Sequence, residues 1–124
     1  SMIVYISGPI TGIEDGNRAA FYEAEADLCA AGWYVFNPIR IDEEHPIDRF
    51  PTWEASRAYA ARDLGILVKA MKAEDGDAIV LLPGWRQSPG ASAEWRVAMW
   101  IGLDVFYSVE EAVQWSPKNS LQLT

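Results

Sequence analysis

Four short apolar runs, each closed by a turn signal and separated by stretches with helical spacing, constrain the fold of this chain most. Met2 to Ser7 is β-branched and apolar and ends at Gly8-Pro9. Trp33 to Phe36 stops at Asn37-Pro38, Ala78 to Leu82 stops at Pro83-Gly84, and Asp104 to Tyr107 precedes Ser108. Between them run three helical patterns. The first is capped by Asp15 or Asn17, carries Phe21, Ala24, Leu28 and Ala31 on its apolar face, and ends at Gly32. The second spans Trp53 to Met71 with Ala60, Leu64, Leu67, Val68 and Met71 at helical spacing. The third is opened by Gly90, runs to about Ile101 and is ended by Gly102. Ser108-Val-Glu-Glu111 has capping-box spacing and starts a short last helix. Ile39 to Thr52, charged and holding two prolines, reads as a long loop.

Strand and helix in alternation imply parallel pairing with helices on both faces, and nearly continuous apolar strands agree. The expected architecture is α/β: a small doubly wound, Rossmann/flavodoxin-like three-layer sandwich with a parallel sheet of four to five strands. One domain covers residues 1–115. Residues 116–124 read as a loose polar tail, with a short strand expected at Leu121 to Leu123. Ser1 before Met2 reads as the remnant of a cleaved tag.

The chain has 124 residues and a formal net charge of −8. Its ten Lys and Arg are scattered, so the basic patch that grips a phosphate backbone is missing and polymeric nucleic acid is excluded as a partner. No apolar run has the length of a membrane span, and no signal-peptide pattern opens the sequence. The single cysteine, Cys29, reads as a small core residue in a reducing cytoplasm. His45 has no second His or Cys near it, so no metal is assigned, and no cofactor either. Asp42-Glu-Glu44 reads as a solvated face, and core packing is the expected use of most of the six Trp, as of Tyr5 and Trp33.

Ligands of such folds bind beyond the carboxyl ends of the strands. The first of those segments, Tyr5-Ile-Ser-Gly8-Pro9-Ile-Thr11-Gly12, has two glycines and two hydroxyls, which suit a backbone cradle for a sugar or phosphate. An ordinary strand-to-helix turn explains the same glycines. The second, Leu82-Pro-Gly-Trp85-Arg-Gln-Ser88-Pro-Gly90-Ala-Ser-Ala-Glu94, presents N–H groups at a helix start, where an anion is favoured, and adds the Ser88 hydroxyl. Glu94 is placed in the first turn of that helix, where the dipole lowers its pKa and burial in a cleft raises it. If the dipole prevails, Glu94 is the ionised carboxylate that a nucleophile must be; otherwise it is an acidic residue that steadies its own helix. Asp63 lies in an apolar stripe with Tyr59, Ala60, Ile66 and Leu67, while Arg62 and Arg57 point elsewhere by helical geometry. Such a carboxylate has either a raised pKa or a specific partner, and a half-exposed structural Asp is the alternative. Trp85, at the mouth of the strand ends, could stack a nucleobase.

Together these motifs resemble the nucleoside 2-deoxyribosyltransferase superfamily, over roughly residues 2 to 107. The resemblance is carried by Tyr5-Ile-Ser-Gly-Pro-Ile-Thr-Gly12, Asn37-Pro38, Asp63-Leu64, Asp77-Ala-Ile-Val-Leu-Leu-Pro-Gly-Trp85 and Ser88-x-Gly90-x-x-x-Glu94. Within it the chain is similar to a small uncharacterised branch related to the 2′-deoxynucleoside 5′-monophosphate N-glycosidases. The resemblance implies an enzyme acting on the N-glycosidic bond of 2′-deoxynucleosides or their 5′-monophosphates, by hydrolysis or by transfer. It implies Glu94 as the nucleophile on C1′, and Asp63 as the residue that orients the sugar or helps protonate the leaving base. Ser88 and Gly90 would hold the 5′ end, and Tyr5, Gly8, Pro9 and Thr11, with Asn37 after the second strand, would line the substrate side. It further implies a dimer or tetramer. A module that binds or sequesters a nucleotide without chemistry is the alternative use of the same pocket.

Overall fold

The structure, a computed structural model, describes residues 2–47 and 52–122. Strand β1 (Ile3–Ser7) is followed by helix α1 (Arg18–Ala30), β2 (Tyr34–Phe36), α2 (Pro38–Glu44) and α3 (Thr52–Gly65). A π-helical turn, Ile66–Ala70, continues α3, and β3 (Ala78–Leu81), α4 (Pro89–Trp100), β4 (Asp104–Phe106), α5 (Val109–Gln114) and α6 (Pro117–Gln122) complete the order. The four strands form one parallel sheet in the order β2-β1-β3-β4. The expected α/β class and parallel sandwich therefore hold. No helix of the described residues is long and apolar enough to cross a membrane.

Alternation along β1 divides the core. Val4 and Ile6 face Phe21, Ala24 and Leu28 of α1 and Ala112 of α5. Tyr5 faces the other way, toward Leu67 and Met71 after α3 and Ala98 of α4. Each large apolar side chain taken fully out of water contributes roughly 1.5–3 kcal/mol, which is why the strands tolerate few polar residues. Asp77, just before β3, ties two segments down. Its carboxylate accepts from Ile3 N at 2.8 Å and from Lys72 N at 2.7 Å and is buried.

Because β2 lies on one side of β1 and β3 on the other, the chain reverses its winding between β1 and β3. A crevice at that switch point is the usual ligand position in open α/β sheets. The sequence builds it tightly. Leu82 N donates to Ser7 O at 2.8 Å, and a Cβ on Gly8 would stand 2.8 Å from Leu82 Cβ, so only glycine fits there.

Five expectations need correction. The stretch read as a loop from Ile39 forms α2, because Asn37 Oδ1 accepts from Ile39 N and Pro38 supplies the fixed φ of a first helical position. Residues 48–51 of that loop lie outside the described residues, as do Ser1 and residue 123. Residues 117–122 of the tail form α6, so Leu121 lies in a helix and not in a strand. Ser116 Oγ caps α6 through Asn119 N, and Lys118 Nζ reaches Ala30 O. Cys29 is exposed, since one residue beyond buried Leu28 the helix turns outward. Of the six Trp, only Trp33 is buried, donating from its indole to Ala112 O, while Trp53, Trp100 and Trp115 are exposed. Asn17 does not cap α1 with its side chain. It sits at φ 60° and its Nδ2 turns back to Pro9 O, bracing the first loop. The Ser108 cap is as expected, accepting from Glu111 N.

Candidate active site

Strand alternation puts Tyr5 and Ser7 on the same face of β1, and α4 crosses that face. Glu94 meets both. The Tyr5 hydroxyl donates to Glu94 Oε2 at 2.5 Å and the Ser7 hydroxyl to Oε1 at 2.6 Å. Tyr5 and Ser7 are fully buried, and Glu94 is half-buried. Each carboxylate oxygen therefore receives one short hydrogen bond from a fixed donor, which orients the group without neutralising it.

Electrostatically the site is a contest. Burial pushes the Glu94 carboxyl up to about 7; the Ser7 and Tyr5 hydroxyls act against it, the charge of Asp63 adds to it, and Arg62 opposes it. The dipole of α4 does not rescue ionisation. Glu94 is the sixth residue of a helix that begins at Pro89, past the first turn in which the dipole acts and where it was expected. Tyr5 is held well above its ordinary range by burial, then by the charges of Glu94 and Asp63, so it remains a donor.

Asp63 projects from α3 on the same side of the sheet. Burial raises its pKa, and Arg62 works against that rise through a hydrogen bond and its charge. Arg62 does not point away, contrary to helical spacing. Its long side chain folds back so that Nε donates to Asp63 Oδ1 at 2.8 Å, while Nη1 reaches Asp42 Oδ1 at 3.3 Å. Asp42 is thus half-buried and bonded rather than part of a solvated face. Glu43 and Glu44 are exposed, Glu43 being bound by Arg18 and Tyr22.

The remaining candidates take varied places. Ser88 is the N-cap of α4, its Oγ accepting from Ala91 N at 3.2 Å. Pro89 has no N–H and Ser92 N bonds to Ser88 O, so among the described residues the Gly90 N–H alone is left for a ligand in that turn. Gly90 needs no special φ, and a Cβ there would meet nothing within 4 Å. The backbone cradle is therefore smaller than the sequence suggested. Pro9 is half-buried and Thr11 exposed, while Asn37 is buried with Nδ2 unpaired among the described residues.

Trp85 is half-buried, 5.2 Å from the Trp95 ring and 6.2 Å from Tyr107, with the Arg86 guanidinium 5.0 Å above it. It borders a cleft of about 390 Å³ between the loop after β3 and residues Tyr107 to Val109. Neither Glu94 nor Asp63 lines that cleft. Trp95, next to Glu94 in sequence, is the link between the two places.

Ser7 and Arg62 were missed as site residues. Ser7 was legible as the last in-facing position of β1, two residues after Tyr5. No spacing rule finds Arg62, since adjacent helical residues do not face each other. Among the described residues no three His, Cys, Asp or Glu side chains gather as a metal site.

A family model described as Domain of unknown function (DUF4406) matches residues 2–107. No curated protein and no solved structure matches the chain.

Proposed function

We propose that this chain, which belongs to the DUF4406 family, cleaves or transfers at the N-glycosidic bond of 2′-deoxynucleosides or their 5′-monophosphates. One observation carries the reading: a Glu94 carboxylate held at both oxygens by buried hydroxyls of β1, with a second carboxylate, Asp63, close enough to raise its pKa. Glycosidic cleavage passes through an oxocarbenium-like state, and carboxylates trap or stabilise that charge. In the proposed first step a Glu94 oxygen bonds to C1′ as the C1′–N bond breaks, and the base leaves with its bonding pair and takes up a proton. Water or a second base then displaces Glu94 from C1′. Asp63 orients the sugar or relays the proton, and the Gly90 N–H with Ser88 holds the 5′ end. Exposed Trp100, Met99 and Trp53 are compatible with a homo-oligomer, the assembly that goes with this reading.

The direct test is incubation with a panel of deoxynucleosides and their 5′-monophosphates, followed by chromatography for free base. Release that disappears in Glu94→Ala supports the enzyme. Cleavage of no substrate, or an active Glu94→Ala, rejects it. The separation of the Trp85 cleft from Glu94 favours a second reading, a module that binds a nucleotide without chemistry. That reading gives calorimetric binding, lost in Trp85→Ala, with no turnover.

A further inference from the structure

Arg62 is an unusual neighbour for a carboxylate pair. Its guanidinium spans Asp63 at 2.8 Å on its own helix and Asp42 at 3.3 Å on α2. The Tyr59 ring, one turn back on α3, lies 5.2 Å from its centre. Both Arg62 and Asp63 are largely shielded, with side chains 18% and 14% exposed. A planar fork held on three sides in this way has little freedom left, and what it orients is Asp63.

We propose that Arg62 is the positioning residue of this site, fixing Asp63 as an anionic acceptor for a ligand hydroxyl beside Glu94, with Asp42 of α2 as its anchor. The proposal rests on the Glu94 and Asp63 reading given above and selects between the two roles left open for Asp63. A carboxylate paired to a guanidinium is suited to accept from the sugar and poorly suited to give a proton to the leaving base. Four charged or titratable groups among the described residues face the pair. Tyr5 approaches from β1, Glu94 from α4, Asp42 from α2 and Tyr59 from α3 itself. Within that set Arg62 is the cation that offsets burial at both carboxyls.

The test is a carbon-13 titration of the Glu94 and Asp63 carboxyls, read beside kcat and KM. Arg62→Met should move both midpoints upward, that of Asp63 by about one pH unit or more. Arg62→Lys keeps the charge and loses the fork, so it should leave the Glu94 midpoint near the wild-type value while lowering kcat about tenfold or more. Asp42→Asn, which leaves the Arg62–Asp63 contact in place, should lower kcat in the same direction with a folded circular-dichroism spectrum. Unchanged midpoints in Arg62→Met overturn the proposal, and so does full kcat in Arg62→Lys together with Asp42→Asn. If Arg62→Met does not fold, the other two variants still decide. The titration needs no substrate. A protein that cleaves nothing but shows the shifts loses the glycosidase reading and keeps Arg62 as the residue that sets these carboxyls. An active protein without them keeps the reading and loses Arg62.

Discussion

The phenol of Tyr5, fully buried on β1, donates to Glu94 Oε2 across a distance of 2.5 Å. That contact joins the middle of the sheet to α4 and, with the Ser7 hydroxyl, works against the burial that raises the pKa of the central carboxyl. Tyr5→Phe keeps the ring in the core and removes only the donor. Loss of a hydrogen bond to a charged group costs about 1.5–3 kcal/mol. We expect the Glu94 carboxyl to titrate above its present value of about 7 and kcat/KM at neutral pH to fall about tenfold or more. Activity regained at alkaline pH is the signature, measured as a shifted pH–rate profile.

The same carboxyl makes activity and stability move in opposite directions with pH. A nucleophilic Glu94 must be ionised, so kcat/KM rises with pH through about 7. In the unfolded chain the group titrates near 4.5. The folded state therefore binds this proton more tightly, and the stability that it contributes is complete below 4.5 and lost as pH rises through about 7. The loss approaches about 3 kcal/mol. Glu94→Gln should accordingly be inactive and, at pH 8, harder to denature with urea than the wild type. Equal stability of the two at pH 8 would show that burial does not govern this group.

Two glycines in the candidate site should respond oppositely. Gly8→Ala forces a Cβ to within 2.8 Å of Leu82 Cβ. Overpacking of that kind costs about 1–3 kcal/mol and disturbs the switch point between β1 and β3. Gly90→Ala meets open space at an ordinary helical φ and should stabilise α4 by up to about 1 kcal/mol. Alanine keeps the backbone N–H and its Cβ meets open space, so KM should stay near the wild-type value while Tm rises. A fall in Tm would contradict the free space beside Gly90.

Asp77, part of the motif that carried the family resemblance, is structural. Asp77→Ala leaves the N–H groups of Ile3 and Lys72 without their acceptor. Both donors are only part-buried, so their loss of an acceptor costs less than the roughly 1–3 kcal/mol of a fully buried one each. Thermal unfolding should show that loss, with any activity of the folded fraction intact.

Periodicity was enough to read the parallel sheet and the apolar face of α1. Those follow from local alternation and from the fixed rules of strand connection. What failed was local chemistry with two meanings. Asn37-Pro38 ends a strand, but an Asn cap followed by Pro also begins a helix, and here it does both. The second meaning brings Asp42 to Arg62. The ionisation of Glu94 was undecidable in sequence because dipole and burial oppose each other. A helix that starts at Pro89 leaves Glu94 one turn too deep for the dipole to act. Arg62 was set aside by a spacing rule that describes Cβ directions, whereas a side chain of its length can fold back onto its neighbour. The Trp residues misled for another reason. A large apolar side chain predicts burial only when its helical or strand phase points inward, and Trp100 follows inward Ala98 by two positions.

Capture of the sugar on the protein tests the central role of Glu94 most directly. The protein is mixed with a cleaved 2′-deoxynucleoside or 5′-monophosphate, quenched in acid within the first turnovers, digested and read by peptide mass spectrometry. A covalent nucleophile predicts one deoxyribosyl group on the peptide that contains Glu94, absent from Glu94→Gln. Base release at full rate from Glu94→Gln, or a sugar attached elsewhere with Glu94 unmodified, would contradict it.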